Sequence, residues 1–417
     1  MAVAASLGQM PAAASAARPA SVGDPTIITY GNWEVYTSQA DMHRKIVSLF
    51  NASQKTVRVQ YSGIANQKMA IELATGTAPN IVNWYQVDPF GPEGVLKPLD
   101  EFIKLDNELL GTIVNREALN QYVVKGRTYA FPSAIYNELG VYCNEDMFQA
   151  AGVKLPASGP FSLEAFQAAI LKMLTWTKRR KNTWPVAPFF PSEYMAVAQG
   201  GPLSFSPNGT TYNIGDPIIR ASYKWQYDYL LGLGAAPPAA AVSSLGGTGG
   251  SVTLFQSSNI GMMMVDEYPI SPLLASKPPF KWRVVPGIRD KRYPVHVGIY
   301  PLSITNTCRD PEAAYQYLHF VATDRTANLL KLDTGYGMPD RKDVAEKATG
   351  PMGAFFYLLT QADYSYTAPP PLNSVNQFVT NVANPGWQAV ETHKASLPTE
   401  IGDLLEQWKS PKYSVPS

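Results

Sequence analysis

Hydrophobic and polar positions alternate between two periods along the first hundred residues. Thr26-Ile-Ile-Thr-Tyr30 reads as a buried strand, and Val57-Arg-Val-Gln-Tyr61 alternates with period two. Between them, from about Ser38, the residues Met42, Ile46, Leu49 and Phe50 fall on one face at helical spacing. A second helix is expected over Ile64 to Thr75, stopped by Gly76, and a third strand over Asn80-Ile-Val-Asn-Trp84. This βαβαβ order calls for a parallel sheet with right-handed crossovers. Ligands of such sheets collect at the carboxyl ends of the strands. Those ends carry Asn32-Trp33-Glu34 and Trp84-Tyr85-Gln86-Val87-Asp88, aromatics beside carboxylates, which gives them a ligand role.

The pattern changes over Gly126 to Phe148. Thr128 to Pro132 reads as a strand, then comes a break, then a strand over Gly140 to Cys143 running into a helix. Asn144 supplies the N-cap of that helix and Gly152 its stop. Residues 133–140 are read as the first crossing between two lobes. Beyond it an amphipathic helix covers Phe161 to Lys178 with Ser162 as N-cap, and its basic tail Lys178 to Lys181 complements the helix dipole. Ile219 to Leu231 is helical, and Gly246 to Gly250 reads as a flexible connection, since no Lys-Ser/Thr follows to make a phosphate loop. Ile260 to Val265 is a buried strand ending in Asp266-Glu267-Tyr268-Pro269. Strands follow over Trp282 to Pro286 and Val295 to Thr305, with the second crossing at 297–301. Asp310-Pro311 opens a helix with an N-cap and an N1 proline. The turn Asp333 to Pro339 leads into a third crossing at 339–346, and helices run from there to Trp408.

Composition narrows the function. The 417 residues call for two or more domains, and 34 basic against 33 acidic side chains give no reason to expect nucleic acid or an anionic membrane surface. No run approaches the roughly 18 apolar residues of a spanning helix. Residues 1–25 are Ala/Pro/Ser/Gly-rich and read as a disordered tail or the remnant of an export signal, Ala14-Ser15-Ala16 having a small-x-small pattern. Cys143 and Cys308 are either two buried free thiols or one disulfide. His43, His296, His319 and His393 show no metal-ligand spacing, and there is no Gly-x-Ser-x-Gly elbow. No metal, cofactor or catalytic residue is therefore expected. A glycosidase-type carboxylate pair leaves no local signature. Glu34 with Glu267 is the first candidate for one.

Six segments in order resemble the family 1 extracellular solute-binding proteins, the receptors of sugar ABC importers. They are Ala74-Thr-Gly-Thr-Ala-Pro-Asn-Ile-Val82, Gly94-Val-Leu-Lys-Pro-Leu-Asp100, Gly126 to Pro132, Val141 to Phe148 with Ala151-Gly152, Asp310 to Leu318, and Thr334-Gly-Tyr-Gly-Met-Pro339. Asn80 where an Asp is common, Ser257-Ser-Asn259 in place of Gly-Lys, and the Pro/Gly/Ala-rich stretch 235–250 depart from the pattern.

The resemblance implies an α/β, two-lobed periplasmic-binding-protein fold, each lobe a mainly parallel sheet flanked by helices, with three crossings. The lobes would be 26–136 plus 300–342, and 137–299 plus 343–417. It also implies a monomer, periplasmic or extracellular, that closes on a carbohydrate and hands it to membrane permease subunits. Trp84 and Asp88 match the stacking aromatic and hydroxyl-binding acid of maltose-type receptors, and Tyr194 and Tyr268 more loosely match their second-lobe aromatics. Asn376 falls near a further stacking position, without the aromatic. Trp33, Glu34, Asp266, Glu267 and Tyr336 join the candidate set from their places at strand ends and connectors. A secreted carbohydrate-active enzyme and a receptor for a non-sugar solute are the alternatives. A phosphorylated ligand would want an arginine in the cleft.

Overall fold

The computed structural model describes residues 24–32, 37–64, 66–114, 117–187, 192–238, 241–242, 244–245, 248–367 and 372–413. The first strands and helices form where the periodicity places them. They are β1 (Thr26–Asn32), α1 (Thr37–Ser53), β2 (Val57–Gly63), α2 (Asn66–Thr75) and β3 (Ile81–Asn83). β1 pairs in parallel with β2 from Thr26↔Val57 and with β3 at Tyr30↔Ile81. α1 buries Met42, Ile46, Val47 and Phe50 against Ile28, Tyr30 and Val59 of the sheet.

The next strands carry the chain between the lobes. β4 (Phe131–Glu138) is continuous where a break was expected after Pro132. Its backbone is held by an antiparallel neighbour far ahead in the chain, which local pattern cannot show. β5 (Gly140–Asn144) follows after Leu139, which sits at φ 104° and turns the chain into the second sheet. Asn144 caps α3 (Glu145–Ala150), accepting from Met147 N–H at 3.0 Å, and Ser162 caps α4 (Leu163–Thr177), accepting from Ala165 N–H at 3.1 Å. The second sheet continues with β6 (Trp184–Val186), β7 (Ile260–Val265) and β8 (Trp282–Val285), in the order β8-β5-β7-β6. This sheet is mixed rather than mainly parallel. β5 runs antiparallel to both β7 and β8, and only β7 with β6 is parallel. The chain enters it along a crossing strand, not from a crossover helix, and so arrives in the opposite direction.

β9 (Pro294–Ile304) is buried throughout. One stretch of it pairs with β4, from His296↔Glu138 to Leu302↔Phe131, and its end pairs with β3. β10 (Tyr364–Tyr366) completes the first sheet, whose order is β10-β9-β3-β1-β2 with β4 on β9. The third crossing joins the same bundle: Ile135 and Met338 exchange both backbone hydrogen bonds, at 2.9 and 2.7 Å. Lys331 and Asp340, both fully buried, form an ion pair of 2.8 Å beside it. All three crossings therefore meet around β4.

Other expectations need adjustment. Ile219 to Leu231 is an α-helix over Pro217–Trp225 and a π-helix over Gln226–Leu231. Part of the glycine-rich connection is helical, since Thr248–Gln256 is a helix, while Gly246 and Gly247 lie outside the described residues. α5 (Ile270–Ser276), α6 (Pro311–Thr323) and α7 (Arg325–Thr334) follow, with Asp310 capping α6. α8 (Asn373–Phe378) continues without a break through a π-turn into Asn384–Glu391, and α9 (Leu397–Trp408) is the last helix of the described residues. Phe378, Ile401, Leu404 and Trp408 make a separate core with Tyr212 and Ile219. Cys143 lies in the second sheet and Cys308 beyond the end of β9, and both are buried free thiols. Among the described residues no helix is long and apolar enough to cross a membrane.

Candidate functional site

The crossing strands bring tyrosines together. Tyr136 on β4 and Tyr300 on β9 stand 5.4 Å apart, centroid to centroid, and Tyr336, just after α7, lies 4.7 Å from Tyr300. Two glycines make room for them. A Cβ at Gly298 would come within 2.1 Å of the Tyr136 ring, and one at Gly337 within 2.8 Å of the Tyr300 ring. Gln121 braces the group, donating to the Tyr136 hydroxyl at 3.2 Å and accepting from Ile299 N–H at 2.9 Å. His43 meets the edge of Tyr336 at 5.0 Å and its ring nitrogens face Tyr30 and Asn32, which makes it structural.

Tyr85, one residue beyond Trp84, places its hydroxyl in this group. Burial pushes its phenol well above the ordinary range, and Tyr336, Tyr122, Tyr136 and the Asp266 carboxylate add to the effect. Tyr300 is raised in the same way, by burial first and then by Asp266, Tyr85 and Glu267. Asp266, just beyond β7 of the other sheet, thus lies near enough to Tyr85 and Tyr300 to raise both phenols.

Of the residues expected from sequence, Tyr336 and Asp266 belong to this group. Asp266 is half-buried, its Oδ1 accepts from Tyr268 N–H at 3.0 Å, and its carbonyl accepts from the Tyr142 hydroxyl at 2.8 Å. Tyr268 is half-buried beside it. Glu267 is fully buried and both its oxygens accept from Asn137 N–H, at 3.1 and 3.0 Å. Burial, with the Asp266 charge added, raises its carboxyl well above the carboxylate range. It clamps the first crossing and offers no surface to a ligand.

Three further positions differ from expectation. Tyr194 is fully buried, and its hydroxyl donates to Ile288 C=O at 2.8 Å and accepts from Ile288 N–H at 3.1 Å. It is a core residue of the second lobe, because α-helical residues 192–198 turn that face onto the sheet. Trp84 is 6 % exposed and meets Phe90 edge-on at 6.0 Å, but its indole N–H has no hydrogen-bond partner among the described residues. Asp88 Oδ2 accepts from Asn373 N–H at 2.5 Å, so that oxygen is spent on the first turn of α8. Trp33 and Glu34 lie outside the described residues, as does half of the Glu34–Glu267 carboxylate pair. Asn376, on α8, is half-buried, and its side-chain amide nitrogen has no hydrogen-bond partner among the described residues.

Tyr85, Tyr136 and Tyr300 were not singled out from the sequence. Tyr85 lay within the strand-end segment that was. Tyr136 lay in a segment read as a crossing, where a strand assignment would have pointed alternate side chains to the cleft, and Tyr300 lay in the strand expected over Val295 to Thr305 without being picked out there. Among the described residues no group of three His, Cys, Asp or Glu could hold a metal ion.

The lobes are shut at both rims. Ser38 Oγ on α1 lies 2.6 Å from Ser271 Oγ on α5, and Ile270 packs where a Cβ on Gly335 would stand. On the other side the Asp88–Asn373 bond joins the residues beyond β3 to α8.

Solved structures share this fold. An ABC substrate-binding protein from Listeria monocytogenes, in complex with cycloalternan, superposes with a TM-score of 0.79 at 20% identity, over 92% of this chain and 98% of that one. A solute-binding protein of an ABC transporter from Thermotoga lettingae, bound with alpha-D-tagatose, gives 0.75 at 16% identity, over 92% and 98%. The GacH receptor of Streptomyces glaucescens, solved unliganded and with acarbose, gives 0.71 at 17% identity, over 92% and 98%. These likenesses establish the two-lobed solute-binding fold. A search of curated proteins returns no match. The family model for bacterial extracellular solute-binding proteins matches residues 45–354, from α1 through the second sheet and all three crossings. This chain belongs to the bacterial extracellular solute-binding protein family.

Proposed function

We propose that this protein captures a sugar or oligosaccharide between its lobes, outside the cell, and presents it to the permease of an ABC importer. The observation that carries this reading is the ring cluster of Tyr136, Tyr300 and Tyr336, with Asp266 of the other lobe near enough to Tyr85 and Tyr300 to raise their phenols. Flat aromatic rings suit the C–H faces of a pyranose, and a carboxylate accepts from its hydroxyls. Trp84 and Tyr268 extend the ligand set, as do Trp33 and Glu34 at the end of β1. The buried indole N–H of Trp84 gains from an acceptor such as a ring hydroxyl, since an unmade buried bond costs about 1–3 kcal/mol. Three relatives solved with cycloalternan, tagatose and acarbose support the ligand class.

The lobes, 26–136 with 300–342 and 137–299 with 343–417, open and close about Leu139, the middle of β9 and residues 339–346. A solute touching both lobes binds the closed state better, and that difference shifts the population. The protein acts as a monomer and returns its ligand intact. Thermal-shift and calorimetric screening against mannotriose, acarbose, tagatose and a wider panel tests this, followed by chromatography of the recovered ligand. Stabilisation by a sugar recovered unchanged is expected. Cleavage products would make the protein an enzyme, and stabilisation only by peptides or polyamines would make it a receptor of another class.

A further inference from the structure

We propose that Asp88 acts as an interlobe latch, a positioning residue for closure, and not as a ligand group. The inference rests on the closing-receptor reading above. Asp88 follows β3 in the first lobe, between the buried Val87 and the half-buried Phe90, which pack on the core with Trp84. Its Oδ2 accepts from Asn373 N–H at 2.5 Å. Asn373 opens α8, and Val375 and Phe378 of α8 belong to a core of second-lobe residues such as Tyr212, Ile219 and Leu404. The bond therefore exists only when the lobes are together.

Two features make it more than a chance contact. Among the described residues α8 has no local cap: the residue at its N-cap is Leu372, with no side-chain hydrogen bond to the first turn. Asp88 supplies from the other lobe what Ser, Asp or Asn supplies locally in other helices. The helix also runs on unbroken to Glu391, so the carboxylate meets the positive end of a long row of peptide dipoles. A charged acceptor on an otherwise uncapped helix end is among the stronger polar contacts a partly solvated rim can hold. Closing completes the cap and opening removes it. The latch thus adds to the closed state without touching the solute, and it raises affinity for every ligand by the same factor.

Two substitutions remove the bond from opposite sides. Asp88→Ala deletes the acceptor. Asn373→Pro deletes the donor, and the helix tolerates proline there: Asn373 is its first residue, and Leu372 at φ −68° and ψ 134° already has the extended backbone that precedes proline. Asn373→Ala keeps the N–H and serves as the control. Calorimetry with mannotriose and acarbose should show the dissociation constant raised roughly tenfold by either Asp88→Ala or Asn373→Pro, about the value of one charge-assisted hydrogen bond. The double variant should be no weaker than the singles, and Asn373→Ala should match the native protein. Weakening by Asp88→Ala alone, or additive losses, would make Asp88 a ligand contact and overturn the latch. Amide hydrogen exchange needs no ligand. The Asn373 N–H should exchange several-fold faster in Asp88→Ala, and unchanged exchange would also overturn it. If no sugar binds while exchange responds to Asp88→Ala, the ligand reading fails and the latch stands.

Discussion

Asn137 and Glu267, 130 residues apart, are joined by three hydrogen bonds at the point where the chain first passes between lobes. Asn137 N–H is shared by both Glu267 oxygens and Asn137 Nδ2 reaches Oε1 at 3.1 Å. Leu139 N–H then meets Val265 C=O at 3.3 Å, so the turn after β7 is fastened to the crossing strand over both residues. The clamp holds the neighbouring Asp266 in place beside the crossing.

Glu267 also makes stability depend on pH. Its folded carboxyl is raised above the ordinary 4.5, so between that value and the folded one the native state holds a proton the unfolded state has lost. Its contribution is complete below about pH 4.5 and falls as pH rises through the window. Glu267→Gln should remove that slope. The check is denaturant unfolding of both proteins across pH 4 to 8: their difference in stability should narrow toward acid. A difference independent of pH would mean that Glu267 is ionised in the native state throughout.

Trp84 combines a core position with an unpartnered donor, and two substitutions separate these parts. Trp84→Ala should lower stability by about 3–5 kcal/mol, as large core truncations do. Trp84→Phe keeps most of the packing and should cost about 1.5 kcal/mol or less, while sugar affinity drops roughly tenfold through loss of the indole N–H. Thermal melts beside calorimetry would show it. Native affinity in Trp84→Phe would remove Trp84 from the ligand set.

Gly298 should be as intolerant as a contact residue although it touches no solute. A methyl group there would press on the Tyr136 ring, at 2.1 Å, and overpacking of this kind costs about 1–3 kcal/mol. Gly298→Ala should therefore weaken sugar binding together with a modest fall in melting temperature. A lower melting temperature at native affinity would place Tyr136 outside the site.

The sequence made the first sheet and most helix caps legible because their signals are local. Met42, Ile46 and Phe50 repeat at helical spacing, and Asn144, Ser162 and Asp310 precede helices that they cap. β4 was harder. Its pairing with β9 spans residues more than 150 apart, and Pro132, Ser133 and Asn137 look like a break to any local rule. Missing that strand concealed Tyr136 as well. Tyr194 shows the converse limit: an aromatic near a loop reads as a ligand group until the Ile288 backbone is found holding its hydroxyl. Asp88 was picked out by its place beyond β3, but its partner on α8 lies 285 residues away and left no trace in the pattern.

Solution scattering with and without the sugar selected by screening tests most directly whether the tyrosines of one lobe and Asp266 of the other take the solute together. The expected result is a fall in radius of gyration on saturation, as the open population closes about Leu139 and β9. A sugar that binds tightly while the radius of gyration stays unchanged would contradict capture by closure and point to a rigid site.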